Sequence, residues 1–80
     1  MMLPDRINAA WIDGLSDDQL LEAEVDLHAT FTTLDRAERS RRGESYDLMR
    51  GPEPLTGAWM RWSMVSNAVR SRGLRVWERR

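Results

Sequence analysis

The amino-acid sequence predicts an all-α protein built on an antiparallel helical hairpin, with helices at about residues 16–42 and 54–72. In both segments, apolar residues recur in steps of three and four, and residues typical of helix starts and stops bound each segment. The length of 80 residues predicts a single helical domain, residues 1–80. So short a chain buries only about 60% of its unfolded surface. We therefore expect two hairpins to dimerise as a four-helix-bundle-like assembly.

The first predicted element is a short N-terminal helix within residues 1–14. Pro4 suits the first position of a helix and Gly14 can end one, so residues 4–13 are expected to be helical. This helix is predicted to pack across the hairpin. Its apolar face consists of Ile7, Ala10 and Trp11.

The second element, residues 15–43, is a long helix that is acidic at its start and basic at its end. Ser16 and Gln19 form a capping box, in which each side chain accepts a hydrogen bond from the backbone amide of the other. Gly43 follows several arginines and is the expected stop. The predicted core stripe between these ends is Leu20, Leu27, Phe31 and Leu34.

Residues 44–53 are expected to connect the two long helices, with at most one helical turn before Gly51 and Pro52 break it. Residues 54–73 then form a helix rich in tryptophan and methionine, which Gly73 ends. Its predicted core stripe is Leu55, Ala58, Trp62, Val65 and Val69.

The charge is polarised along the chain. Residues 1–35 have a net charge of −7 and residues 36–80 one of +6, although the whole chain has only −1. Two interpretations stay open. Such asymmetry is typical of an interaction surface, and it also fits an acidic helix that folds back on a basic one.

The basic tail, residues 74–80, belongs to the one group of residues that is typical of nucleic-acid binding. Arginine binds phosphate, and Trp77 can stack on an unpaired base. The chain is slightly acidic overall, however, whereas nucleic-acid-binding domains are basic. A solvated basic end is therefore favoured, and nucleic-acid binding is the alternative function. Its candidate residues are Arg70, Arg72, Arg75, Arg79 and Arg80.

The sequence offers little catalytic chemistry. His28 and Glu24 share a helix face and could supply two metal ligands, but a stable site needs three or four and there are no cysteines. The sequence also lacks a plausible Ser–His–Asp set and a glycine-rich phosphate loop. We expect no catalytic residues, no metal and no cofactor, and hence no enzymatic activity.

Trp59, Met60 and Met64 add apolar surface beside the core stripe. Tryptophan and methionine are enriched in interface cores, so these residues and Trp77 are predicted to bind protein, either a second copy or a larger protein. The predicted function is a small non-enzymatic protein–protein interaction module. Its size and composition favour a phage- or mobile-element-encoded modulator or inhibitor of a host protein.

Two further expectations concern location. The lack of cysteines favours a reducing, cytoplasmic setting. No stretch of the sequence approaches the length of about 18 apolar residues that a membrane span requires, and the first residues do not resemble a signal peptide. We therefore expect no membrane partner.

Overall fold

The computed structural model describes residues 3, 4 and 6–74. These residues form three α-helices, α1 (Ala9–Asp13), α2 (Asp17–Arg42) and α3 (Glu53–Ser71), with 3-10 turns at Gly43–Ser45 and Leu48–Arg50. No strand occurs within this described part, and the all-α prediction is confirmed. None of its helices combines the length and apolar character of a membrane span.

The first helix is shorter than the predicted range of residues 4–13. The side chain of Asn8 accepts a hydrogen bond from the backbone N–H of Trp11 at 2.8 Å, and Asn8 itself has an extended backbone. A capping residue of this kind fixes the start of a helix. The helix therefore begins at Ala9, and Pro4 lies outside it.

The start of α2 agrees with the predicted capping box. Ser16 Oγ accepts from the Gln19 N–H at 3.2 Å, and Gln19 Oε1 accepts from the Ser16 N–H at 2.9 Å. At the other end, Gly43 has a φ of 56° and its N–H donates to the carbonyl of Arg39. Both predicted ends of this helix are therefore confirmed.

The capping box yields a direct test of stability. Ser16→Ala is expected to lower the free energy of unfolding by about 1 kcal/mol, because an amide at the helix start loses its acceptor. Ser40→Ala is the matched control, since Ser40 is exposed in the last turns of the same helix. Urea denaturation of both variants measures the difference. Equal midpoints for Ser16→Ala and the parent chain would contradict this role of Ser16.

The connector forms two 3-10 turns where a single helical turn was expected. The side chain of Asp47 accepts from the Met49 N–H at 3.0 Å and so starts the second turn. Gly51 then allows a close approach, because a Cβ there would lie 2.9 Å from Leu55 Cδ2 and 3.2 Å from the Leu48 carbonyl oxygen. The connector therefore packs directly against the start of α3.

The second long helix starts at Glu53, one residue before the predicted boundary. Pro54 lies in its first turn, where a missing N–H leaves no hydrogen bond unmade. The predicted core stripe is confirmed for four of its five residues, which are buried: Leu55, Ala58, Val65 and Val69. The fifth, Trp62, is half-buried.

The end of α3 is a Schellman motif, which confirms Gly73 as the stop. Gly73 has a φ of 70°, and its N–H donates to the carbonyl of Arg70 at 3.0 Å. The N–H of Leu74 donates to the carbonyl of Val69 at 3.1 Å. This pair of bonds satisfies carbonyls that the end of a helix otherwise leaves without donors.

The core lies where all three helices meet. In α2 the predicted stripe holds for Leu20 and Leu27, which are buried, whereas Phe31 and Leu34 are only half-buried. The reason is that the apolar cluster is concentrated at the α1 end of the molecule, away from these two residues. Its buried members are Ile7, Ile12, Leu20, Ala23, Leu27, Val65 and Val69.

The contacts between the α2 and α3 segments pair later residues of one with earlier residues of the other. Trp62, in the middle of α3, stacks on Phe31 with ring centroids 5.6 Å apart and planes 4° apart. Arg72, just after α3, reaches Asp17 at the start of α2. Residues later in α3 therefore contact residues earlier in α2.

Candidate interaction surface

The most exposed large apolar residues of α3 are Met60 and Met64. Their exposed fractions are 58% and 38%, whereas Ala58 and Val65 on the opposite side of the helix are buried. Residues four apart are separated by only about 40° around a helix. The two methionine side chains therefore form one patch, which faces away from the core.

This patch belongs to a longer surface, which we call the α3 outer face. Its members recur in steps of three and four along α3, so they share one side of the helix. They are Gly57, Met60, Met64, Asn67 and Ser71. All five are uncharged, and Glu53 precedes them on the same side.

A groove of about 370 Å³ adjoins the α3 outer face, between α1 and the end of α3. Met64, Asn67 and Ser71 line both the groove and the outer face. Most of the remaining lining is small or apolar, so the groove suits an apolar or small side chain. Its other lining residues are Ala9, Ile12, Asp13, Ala68 and Arg72.

Trp59 does not join the methionine patch. It is half-buried, and it lies about 100° from Met60 and about 140° from Met64 around the helix. Trp77, the remaining predicted protein-binding residue, lies outside the described residues. The structure therefore brings Met60 and Met64 together, but not Trp59.

Arg72 makes three contacts within the chain. Its guanidinium donates to the carbonyl oxygens of Leu15 at 2.9 Å and Ile12 at 3.0 Å, and to Asp17 Oδ1 at 3.1 Å. These contacts attach the end of α3 to the turn between α1 and α2. One predicted nucleic-acid-binding residue is therefore occupied in holding the fold together.

The other proposed arginines differ from Arg72. Arg70 is exposed and donates to the side chain of Asn67. Arg75, Arg79 and Arg80 lie outside the described residues. Of the predicted arginine cluster, Arg70 is therefore the exposed member within the described part of the chain.

His28, of the Glu24–His28 pair, lies against α3. Glu24 is buried, whereas His28 is half-buried and its ring meets that of Trp62 edge-on, with centroids 5.2 Å apart. Among residues 3, 4 and 6–74, no three His, Asp or Glu side chains lie close enough together to hold a metal ion.

The basic end of α2 is neutralised largely by its own acids. Glu38 Oε1 lies 2.6 Å from Arg41 Nη2 and 2.5 Å from Arg42 Nε, and the Glu38 side chain is mostly buried. The hydrogen bond from Arg41 lowers the pKa of Glu38, against an opposing effect of burial, and Arg42 lowers it further. Glu38 therefore pairs with two of the arginines at this helix end, and its charge is already counted in the net +6 of residues 36–80.

Asp35, one turn before Glu38, joins the same helix end to the connector. Its carboxylate accepts from the hydroxyl of Tyr46 and, at 2.9 Å, from Arg39 Nε. The Arg39 guanidinium also lies over the Tyr46 ring, 4.1 Å from its centroid. Burial raises the pKa of Asp35, but the hydrogen bonds from Tyr46 and Arg39 outweigh burial and leave this pKa lowered.

The lowered pKa of Glu38 predicts an acid-sensitive contribution to stability. A carboxyl with a lower pKa in the folded state stabilises the fold above its ordinary pKa of 4.5, and this contribution is lost as pH falls through the lowered value. Glu38→Gln is therefore expected to be less stable than the parent at pH 7, and the two stabilities should converge in acid. Thermal unfolding between pH 7 and pH 3 measures this convergence.

Glu44→Gln is the control for that experiment, because it removes the same charge from an exposed residue just beyond α2. We expect its stability to follow the parent's over the whole pH range. A constant gap between Glu38→Gln and the parent at every pH would contradict the role given to the Glu38 carboxylate.

Chemically, the α3 outer face and its groove can bury methionine against another apolar surface. Methionine is unbranched and polarizable, so it adapts to partners of different shape.

The chain was compared with protein-family models, with curated proteins and with solved structures. None of the three comparisons found a match.

Proposed function

We propose that the chain is a non-enzymatic protein–protein interaction module. In this proposal an antiparallel hairpin of α2 and α3 presents the α3 outer face to other proteins. The observation that carries the proposal is the exposure of Met60 and Met64 side by side on an uncharged helix face. Large apolar side chains that are grouped on a surface mark interaction sites more often than isolated ones do.

The proposed partners are a second copy of the chain, in a four-helix-bundle-like dimer, and a larger protein. The groove beside Met64 supports this, because pockets next to an apolar patch can receive an anchoring side chain. In the cell, we propose that the chain modulates or inhibits a host protein and is encoded by a phage or mobile element. The small size and the composition of the chain support that role. The lack of cysteine supports a cytoplasmic location.

The test is affinity capture from the native cell with three baits: the parent chain, the Met64→Glu variant and the Met49→Glu variant. Met49 is the matched control because it is also an exposed methionine, but lies in the connector. A buried charge at a central contact typically weakens binding at least tenfold, so Met64→Glu should lose the specifically captured protein. Met49→Glu should retain it. Equal recovery with both variants would contradict the proposal, provided that circular dichroism shows equal folding.

Nucleic-acid binding remains the alternative proposal, supported by the exposure of Arg70. It predicts that purified protein retains nucleic acid and binds DNA with an affinity that falls steeply as salt is raised. Arg70→Ala should then weaken binding to all sequences alike. Protein that elutes free of nucleic acid, with no salt-sensitive DNA binding, favours the interaction module.

A further inference from the structure

Glu53 gives the α3 outer face a distinct charged end. It is exposed in the first turn of α3, whereas Arg70 is exposed near the last turn. The five residues of the outer face lie between them and are themselves uncharged, but the guanidinium of Arg61 lies over Gly57. A contact along this face therefore has Glu53 at one end and an apolar centre at Met60 and Met64. At the other end the Arg70 side chain donates to Asn67 of the face.

We propose that two copies of the chain pack their α3 outer faces against each other in antiparallel orientation, centred between Met60 and Met64. This inference rests on the proposed function and specifies its partner and geometry. In this arrangement Met60 of one copy packs on Met64 of the second copy, and the same contact recurs by symmetry. The methionines then cover one another at the centre of the interface.

Charge complementarity selects the antiparallel orientation. When α3 is reversed about the centre between residues 60 and 64, Glu53 comes opposite Ser71 of the second copy and close to its Arg70. A parallel pair would instead place Glu53 beside Glu53 of the second copy, and like charges disfavour such a contact. Antiparallel packing also places each helix end beside the oppositely charged end of the other helix dipole.

The methionines set the distance between the two helices at the centre of the contact, within the usual range of about 8–10 Å between helix axes. Gly57 and Ser71 flank them on the outer face. Arg61 folds back over Gly57, since a Cβ on Gly57 would lie 3.2 Å from Arg61 Nη1. The Arg61 charges of the two copies thus point away from the centre and towards opposite ends of the contact.

The size of this face predicts a dimer that dissociates on dilution. From Glu53 to Ser71 the face is about 27 Å long and one helix, about 10 Å, wide. A single helix face is smaller than the surface of about 800 Å² per partner that standard interfaces bury. The dimer should therefore be populated at high concentration and be lost as the protein is diluted.

Cysteine cross-linking tests the orientation, because the chain has no cysteine of its own. We expect the double variant Glu53→Cys, Ser71→Cys to give a covalent dimer with a short bis-maleimide, at twice the monomer mass of 9.3 kDa. The two positions in one chain are about 27 Å apart along α3, too far for a short linker. Each single variant should give little covalent dimer. It has one cysteine per copy, and in the antiparallel pair the cysteines of the two copies lie at opposite ends of the contact.

Two outcomes would overturn the proposal. Efficient cross-linking of Ser71→Cys alone would indicate parallel helices. No cross-linking of the double variant, and none in an equimolar mixture of the two single variants, would exclude this contact, because the mixture retains Glu53 close to Arg70 at one end. Met64→Glu added to the double variant should abolish the dimer, whereas Met49→Glu should not. If cross-linking fails but Met64→Glu still loses a captured protein, the interaction module stands and only this dimer is wrong.

Discussion

Replacing Trp62 with alanine should lower the free energy of unfolding by about 3 kcal/mol, the usual cost of truncating a packed aromatic side chain. The indole packs against the core cluster, stacks on Phe31 and meets His28 edge-on. Removing it eliminates much of the contact between the middle of α3 and α2. Denaturant unfolding followed by circular dichroism measures the loss.

Two further variants isolate the cause of that loss. Trp59→Ala makes the same truncation three residues earlier, but Trp59 is not part of the described core packing, so we expect less than half the effect. Trp62→Phe retains a ring on Phe31 and removes an indole N–H that has no hydrogen-bond partner among the described residues. It should therefore stay within about 1 kcal/mol of the parent. Equal losses for Trp59→Ala and Trp62→Ala would show that both side chains are core.

Arg72→Ala is expected to cost about 2 kcal/mol, although the residue lies beyond the last turn of α3. Hydrogen bonds from a charged donor are stronger than neutral ones, and this substitution removes three of them. It also leaves the partly buried carbonyl of Leu15 without the donor that Arg72 supplies. Thermal unfolding at fixed pH and salt measures the change.

Arg72→Lys separates the ion pair from the backbone contacts. Lysine retains the charge but lacks the planar fork that reaches two carbonyl oxygens at once, so we expect it to recover less than half of the lost stability. Arg70→Ala removes a nearby exposed arginine and should change stability little. Full recovery by lysine would mean that the ion pair with Asp17 dominates, contrary to the small contribution usual for exposed pairs.

The ends of the long helices could be predicted from sequence because they depend on residues close together in the chain. The capping box of Ser16 joins residues three apart, and the stop at Gly73 depends on its positive φ. The core stripe of α3 was also predictable, since periodicity alone places Val65 and Val69 on one side.

Other features depend on contacts that local patterns do not report. Both Pro4 and Asn8 are residues typical of a helix start, and the sequence alone does not show which of them begins α1. Glu38 continues the stripe of Phe31 and Leu34 at helical spacing, yet only its pairing with arginines explains how an acid is accommodated there.

The candidate surface was predictable in part. Met60 and Met64 were identified because their positions leave the core stripe, and the structure places them together. Trp59 also leaves the core stripe, but on another side of the helix, about 100° from Met60, and periodicity alone does not separate these two cases. The contacts of Arg72 were missed, but its place three residues after Val69, on the core side of α3, was a signal in the sequence.

The contacts of Arg72 have a consequence for the order of folding. They join residues that are 55, 57 and 60 positions apart, so they close a long loop of chain. Contacts within α2 are local and cost less chain entropy, so they should form first. We expect Arg72→Ala to leave the folding rate nearly unchanged and to accelerate unfolding, as an interaction absent from the transition state does. The lifetime of the native chain is then governed by a residue that reaches its place only after the helices have formed.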